Sequence, residues 1–328
     1  MTATHPLQNL THGGSDALGT AQFDFSTNAN ACGPCPYVVQ AVQAVDAAHY
    51  PDPAYTQLRG QLAQWHAVEP ARVLLAASAS EFIFRFTAWA VHNSVVDVLL
   101  PVHGYGDYAR AANAFGLRSA LRAGSSTLAW ACEPSSPLGQ SSEDVGTLLN
   151  SAATVVLDRA YEPLRLQGAL SLTAQQIDQV WQLWSPNKAL CMTGVRAAYA
   201  IAPRDSANQS AQLNALCPSW PIGAHGVAML AAWVQPQVQR WVASSLVTLR
   251  EWKSRQLALC IAMGWECLPS DTNFFSTQLS QELPVQALRV RGIKLRDCTS
   301  FGLPQHWRLS VQPPAAQDAL ALAMKELT

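Results

Sequence analysis

Charge is scarce in this chain. Asp, Glu, Lys and Arg make up 13% of its 328 residues against 49% apolar, and the formal net charge is -1. A composition so apolar excludes disorder, and a balance so even offers no basic stripe for a nucleic acid. Long hydrophobic runs are also missing: no stretch of about 18 apolar residues could form a membrane span. Met1 to Gly14 has no apolar segment ahead of a processing site, so a cytoplasmic chain is expected. No Gly-rich fingerprint follows the first strand candidate, which argues against a dinucleotide cofactor, and no repeat or heptad pattern is evident. The eight cysteines are scattered. Cys32 and Cys35, set among Gly33, Pro34 and Pro36, lack the helix start and second ligand pair that a redox or metal site needs, so no metal is expected.

What remains is enough for a large compact body with a lesser one beside it. Helical character marks Ala41 to Ala48, Tyr55 to Trp65, Ser80 to Val91 and Ala109 to Phe115, with Tyr50-Pro-Asp-Pro53 as a breaker between the first two. Apolar strand candidates alternate with these at Arg72 to Ala77, Val95 to Leu100 and Ala153 to Leu157. That alternation predicts an α/β fold, a mostly parallel sheet covered by helices, with ligands at the strand ends Ala77 to Ser80, Pro101 to Tyr108 and Asp158 to Tyr161. From about Pro221 the texture changes. Ala224 to Met263 reads as helix broken near Pro236, followed by strands at Asn273 to Gln278, Gly292 to Asp297 and Trp307 to Val311 and a helix over Ala315 to Leu327. The expected division is an N-terminal arm and part of the small domain over 1–40, a large domain over 41–220 and a smaller α+β domain over 221–328.

The candidate chemistry centres on Lys188, which is followed six residues later by Gly194 and eight later by Arg196. An amine with a fixed cation nearby suits pyridoxal phosphate, and Ser185, Asn187 and Arg196 would supply donors for its phosphate. Gly194 would permit a tight turn between the two charges. Asp158, at the end of an apolar strand, could pair with a pyridine nitrogen. Tyr161 could reach the cofactor or the lysine, Tyr105 could lie across its ring, and Ala79 and Ser80 could present helix-start amides to a phosphate. Each residue has a plainer reading: Lys188 on the surface, Arg196 in a salt bridge, Asp158 and Ser80 as caps, and Tyr161 in packing.

In order, these motifs resemble the class I/II aminotransferase family of pyridoxal phosphate enzymes, in the branch of threonine-phosphate decarboxylase and histidinol-phosphate aminotransferase. The resemblance rests on His12-Gly-Gly14, Phe23-Asp-Phe-Ser-Thr-Asn-Ala-Asn30, Tyr50-Pro-Asp-Pro53, Glu81, Pro101 to Tyr108, Ser136-Pro-Leu-Gly139, Asp158 to Tyr161, Lys188 to Arg196, Arg296 to Pro304 and Trp307-Arg-Leu-Ser310. It implies fold type I, a mostly parallel mixed sheet in the large domain, and a homodimer with Tyr50 at the subunit boundary. It also implies that Lys188 holds the cofactor and moves the proton, that Asp158 partners the pyridine nitrogen and that Tyr105 stacks on the ring. Arg196 with Ala79, Ser80 and Ser185 would cradle the cofactor phosphate, Arg308 would clamp the substrate carboxylate, Asn30 would lie near the substrate and His12 would help bind a substrate phosphate. Two positions depart from the family pattern. Ser136 stands where asparagine usually donates to the phenolic oxygen, and Asn187 stands where serine or threonine usually precedes the lysine. His12-Gly-Gly14 and Arg296 to Pro304 look closer to threonine-phosphate decarboxylase, which serves cobalamin assembly. Phe23 to Asn30 and Tyr50 to Pro53 fit histidinol-phosphate aminotransferase. The expectation is therefore the decarboxylase, with the aminotransferase as its alternative. Lys188, Asp158 and Arg308 together argue against a purely regulatory module.

Overall fold

The computed structural model describes residues 12–141, 145–151, 154–279 and 282–327. Met1 to Thr11 of the N-terminal arm, and Ala153, the expected start of a strand, lie outside them.

A short strand β1 (Phe23–Asp24) leads into helices α1 (Pro36–Gln43) and α2 (Thr56–His66). The first helix was expected over Ala41 to Ala48 but begins earlier, because Pro36 occupies the first turn, where a missing N–H is harmless. Seven strands then form one sheet: β2 (Val73–Ala76), β3 (Asp97–Leu99), β4 (Arg118–Ser119), β5 (Thr127–Cys132), β6 (Thr154–Asp158), β7 (Trp181–Trp184) and β8 (Ala198–Ile201). Their order is β2-β8-β7-β6-β5-β3-β4, and only β8 runs against its neighbours.

Every residue of β2, β5, β7 and β8 is buried, and β2 and β8 are accordingly apolar throughout, while β5 opens on Thr127 and β7 carries Gln182. The two-residue period sorts their side chains. Val73 and Leu75 enter the core shared with Leu58 and Leu62 of α2, while Leu74 and Ala76 enter the core shared with Phe82 and Phe86. Those phenylalanines belong to α3 (Ala79–His92), which starts where the Ser78 side chain accepts the Glu81 amide at 3.0 Å. Helix α4 (Gly106–Ala114) follows β3.

Beyond Ala224 come a helix over Ala224–Trp233 and a long helix over Pro236–Ala262. The remaining strands are β9 (Glu266–Cys267), β10 (Phe274–Gln278), β11 (Ile293–Lys294), β12 (Arg296–Asp297) and β13 (His306–Ser310). Four of them form an antiparallel sheet ordered β12-β13-β10-β9. The single strand expected over Gly292 to Asp297 is thus two, because β11 pairs with β1 whereas β12 pairs with β13. Helix Pro314–Leu327 closes a second core of Phe25, Cys260, Phe275, Leu309 and Leu320. Met229, Trp233, Val242 and Leu249 pack in the large sheet's core instead. We therefore place the division between the two bodies inside the long helix rather than at residue 221. Among the described residues no helix is long and apolar enough to cross a membrane, and no group of His, Cys, Asp or Glu could hold a metal.

Candidate active site

The ends of β6 and β7, the start of α3 and the loop before α4 converge on a cleft of about 530 Å³. Lys188 reaches it from a run of turns after β7, in which the Leu190 amide donates to the Pro186 carbonyl at 3.0 Å and Met192 to Asn187 at 2.8 Å. The left-handed residue in this run is Cys191, at φ 52°, and not Gly194, whose freedom the turn does not use. The Lys188 Nζ stands 5.2 Å from the centre of the Tyr161 ring. Tyr161 itself is buried, edge-on to Phe274 at 4.8 Å, so it packs and lines the cleft at once.

Asp158 is buried at the end of β6. Its Oδ2 accepts the Tyr108 hydroxyl at 2.7 Å and its Oδ1 accepts the Ala160 amide at 2.9 Å. Burial pushes the carboxyl above its ordinary pKa, while the Tyr108 hydroxyl and the Lys188 charge pull it back. At the other end of the cleft, Ala79 and Ser80 open α3, where helix geometry leaves their amides without intrahelical acceptors. The Ser80 hydroxyl lies 3.0 Å from that of Tyr105, and Arg196 lines the cleft with no ion pair among the described residues. Ser185 donates to the Asn187 Oδ1 at 2.9 Å, so Asn187 orients that hydroxyl.

A second hollow of about 460 Å³ continues from the first and shares Lys188, Tyr105, Ser136, Tyr161 and His12 with it. The His12 ring stands 6.2 Å from that of Tyr105. Arg308 is buried on β13, with its two terminal nitrogens donating to the Ser136 Oγ and the Ser26 carbonyl, each at 3.1 Å. Its Nε has no partner among the described residues. Ser136, standing where the family's asparagine donates to the phenolic oxygen, accepts from Arg308 and lines both hollows. Asn30 is not brought to either. Its amide donates to the Ala189 carbonyl at 3.0 Å and the Ser245 Oγ at 2.7 Å, and its Oδ1 accepts the Cys32 amide at 3.1 Å, which makes it a staple between chain segments. Asn28, two residues earlier, lines the hollow instead, donating to the Tyr161 hydroxyl at 3.3 Å with its Oδ1 buried and unpaired.

Sequence reasoning gave no site role to Tyr108, Asn28 or Arg296. Arg296 is buried beside Arg308 on the neighbouring strand, and burial and that charge both depress its pKa. The available signal was its place in the Arg296 to Pro304 motif.

The cleft suits a flat ring with unlike ends. A dianion fits the cationic and amide-rich end at Arg196, Ala79 and Ser80, a protonated ring nitrogen fits Asp158, and a carbonyl fits the amine of Lys188. Pyridoxal phosphate has those three features, and fold and cleft together define a pyridoxal-phosphate enzyme. The chain belongs to the aminotransferase class I and II family, whose family model matches residues 116–324. Among curated relatives, the histidinol-phosphate aminotransferase of Halorubrum lacusprofundi is 28% identical, covering 87% of this chain and 83% of its own. Histidinol-phosphate aminotransferase from Sinorhizobium meliloti, solved in complex with pyridoxal-5'-phosphate, shares the fold at a TM-score of 0.74 and 18% identity over 92% of this chain and 90% of its own. L-threonine-O-3-phosphate decarboxylase from Porphyromonas gingivalis does so at a TM-score of 0.71 and 21% identity over 89% and 93%.

Proposed function

We propose that this enzyme moves an amino group between a small phosphorylated amine of the histidinol phosphate type and a keto acid, as in histidine assembly. The observation that carries the reading is a pair of buried arginines, Arg296 and Arg308, facing the hollow that holds Lys188, with no ion pair to either among the described residues. Their terminal nitrogens donate to neutral oxygens alone, and a buried charge without a counter-charge is costly unless a ligand anion completes it. The expectation of a threonine-phosphate decarboxylase gives way as the main reading, because that likeness is one of fold, whereas the sequence relative is a histidinol-phosphate aminotransferase.

Bound pyridoxal phosphate supplies an electron sink for the bond broken at the substrate carbon. The protein does the rest. Asp158 would partner the ring nitrogen, Tyr105 would lie against the ring, and Arg196 with Ala79 and Ser80 would hold the phosphate. Lys188 Nζ takes the proton from the substrate carbon, and Arg308 and Arg296 hold the anionic end so that the carbon stays within its reach.

His12 supports a second reading. It lines both hollows and adds a donor for a phosphate distinct from the carboxylate at Arg308, as threonine phosphate would require. Mass spectrometry separates the two: histidinol phosphate with 2-oxoglutarate should yield the corresponding carbonyl compound and glutamate. Aminopropanol phosphate and carbon dioxide, formed from threonine phosphate without any keto acid, would establish decarboxylation instead. We also propose a cytoplasmic homodimer. Tyr50, 78% exposed and stacked 4.4 Å from Trp220, offers an aromatic pair for a second subunit, and sedimentation would give the mass.

A further inference from the structure

Arg296 and Arg308 are register partners across β12 and β13, so their side chains leave one face of the sheet side by side. Like charges placed directly opposite one another on paired strands repel. The carboxylate nearest in sequence does not answer them, because Asp297 Oδ1 accepts the Thr299 amide at 2.8 Å and its hydroxyl at 2.7 Å. What the two arginines share is Phe301. Its ring centre lies 4.9 Å from the guanidinium carbon of Arg296 and 5.5 Å from that of Arg308. The terminal nitrogens of Arg296 donate to the Asp297 carbonyl at 2.9 Å and the Ser300 Oγ at 2.8 Å, which like the partners of Arg308 are neutral acceptors; an aromatic face adds attraction for the cations without cancelling their charge, as a carboxylate would.

We propose that Phe301 stands in for a counter-anion in the free enzyme, keeping Arg296 and Arg308 in place with their charge not neutralised, and so determines selectivity for phosphorylated substrates. This rests on the reading that the two arginines receive substrate anions. The ring is fixed through its backbone: the Phe301 carbonyl is 2.8 Å from Nδ1 of His103, which donates to it, and the Phe301 amide donates to Cys298 at 2.9 Å. His103 lies in the loop that carries Tyr105, so the residue covering the cofactor and the arginine pair are tied together. Arg308 has a second ring, Phe274, at 5.6 Å, whereas Phe301 is the ring found over Arg296 among the described residues. Loss of Phe301 therefore falls hardest on Arg296.

The test uses the pyridoxal-phosphate-loaded enzyme with inorganic phosphate as a competitive inhibitor, alongside whichever phosphorylated substrate turns over. Phe301→Leu is expected to raise the phosphate inhibition constant and the substrate KM about tenfold, with kcat changed less than about threefold. Cofactor affinity should stay at the wild-type value, and Phe301→Tyr, which keeps the ring, should restore the KM. An unchanged inhibition constant in the leucine variant would overturn the proposal, and so would a parallel loss of cofactor affinity, which marks a general packing role. If Phe301→Leu fails to fold, His103→Ala should move the same constant in the same direction, and no movement overturns the proposal. A wild-type enzyme indifferent to phosphate and to both phosphorylated compounds would instead overturn the substrate reading itself.

Discussion

Asp158 is buried, so its charge depends strongly on its neighbours. The Tyr108 hydroxyl, held by a ring stacked 4.9 Å from Trp130, is the donor that lets a buried carboxylate remain ionised beside a pyridine nitrogen. Tyr108→Phe removes that donor and keeps the ring. Loss of a hydrogen bond to a charged group is worth about 1.5–3 kcal/mol, so the dissociation constant for pyridoxal phosphate should rise roughly 10–100-fold in an absorbance titration. A constant within about twofold of wild type would show that Asp158 needs no help. Asn28 and Asn30 make a second contrast. Asn30→Ala deletes three internal bonds and should lower unfolding free energy by about 2–3 kcal/mol in urea. Asn28→Ala removes an acceptor that has no partner and one long bond to the Tyr161 hydroxyl at 3.3 Å, so stability should hold within about 1 kcal/mol while kcat/KM falls. The reverse pattern would return Asn30 to the site. Nothing local in Phe23 to Asn30 could distinguish these two residues, since the Ser245 that claims Asn30 lies 215 positions away.

Elements were more legible than their junctions. β2 and β6 could be read as strands from their short apolar runs, whereas β5, which opens on Thr127, and β7, which carries Gln182, could not; the break at Pro236 follows from proline's own geometry. The meeting of Arg296 with Arg308 was not legible, because it depends on the register of an antiparallel pair. The same is true of the clamp between the two bodies at the Ser136 loop. There the Asp271 amide donates to the Gly139 carbonyl at 2.6 Å, and the Ser276 hydroxyl donates to Pro137 at 2.9 Å. Gly139 holds φ 72°, and a methyl there would stand 2.2 Å from the Ser270 Oγ and 2.6 Å from the Thr272 Oγ1. Gly139→Ala thus combines backbone strain with a clash and should destabilise by about 3 kcal/mol in denaturant unfolding. It should also lower kcat/KM by shifting Ser136 away from Arg308. A variant within about 1 kcal/mol of wild type would mean that the two loops separate freely.

At the scale of the whole molecule, one lysine ties these parts to the long helix. Lys253 is buried, and its Nζ donates to the carbonyls of Ser270 and Thr272, the latter at 2.8 Å, holding the loop that grips Gly139. Burial pulls its pKa from 10.5 down to about 8. Between those values the unfolded chain keeps a proton that the folded chain has released, so this group makes unfolding free energy rise with pH across that window. Below about pH 8 the folded state carries the whole burden of the buried charge. Lys253→Met preserves most of the stem, removes the titration and leaves two carbonyls without their donor. The stability of wild type minus that of the variant should therefore be positive at high pH, where the neutral amine still donates. Between pH 8 and 10.5 it should climb by about 1–3 kcal/mol, because one pKa step is worth about 1.4 kcal/mol. Urea unfolding at several pH values measures that difference. A flat difference would mean that the ammonium is hydrated and that the loop gripping Gly139 is held by the remaining contacts of the clamp.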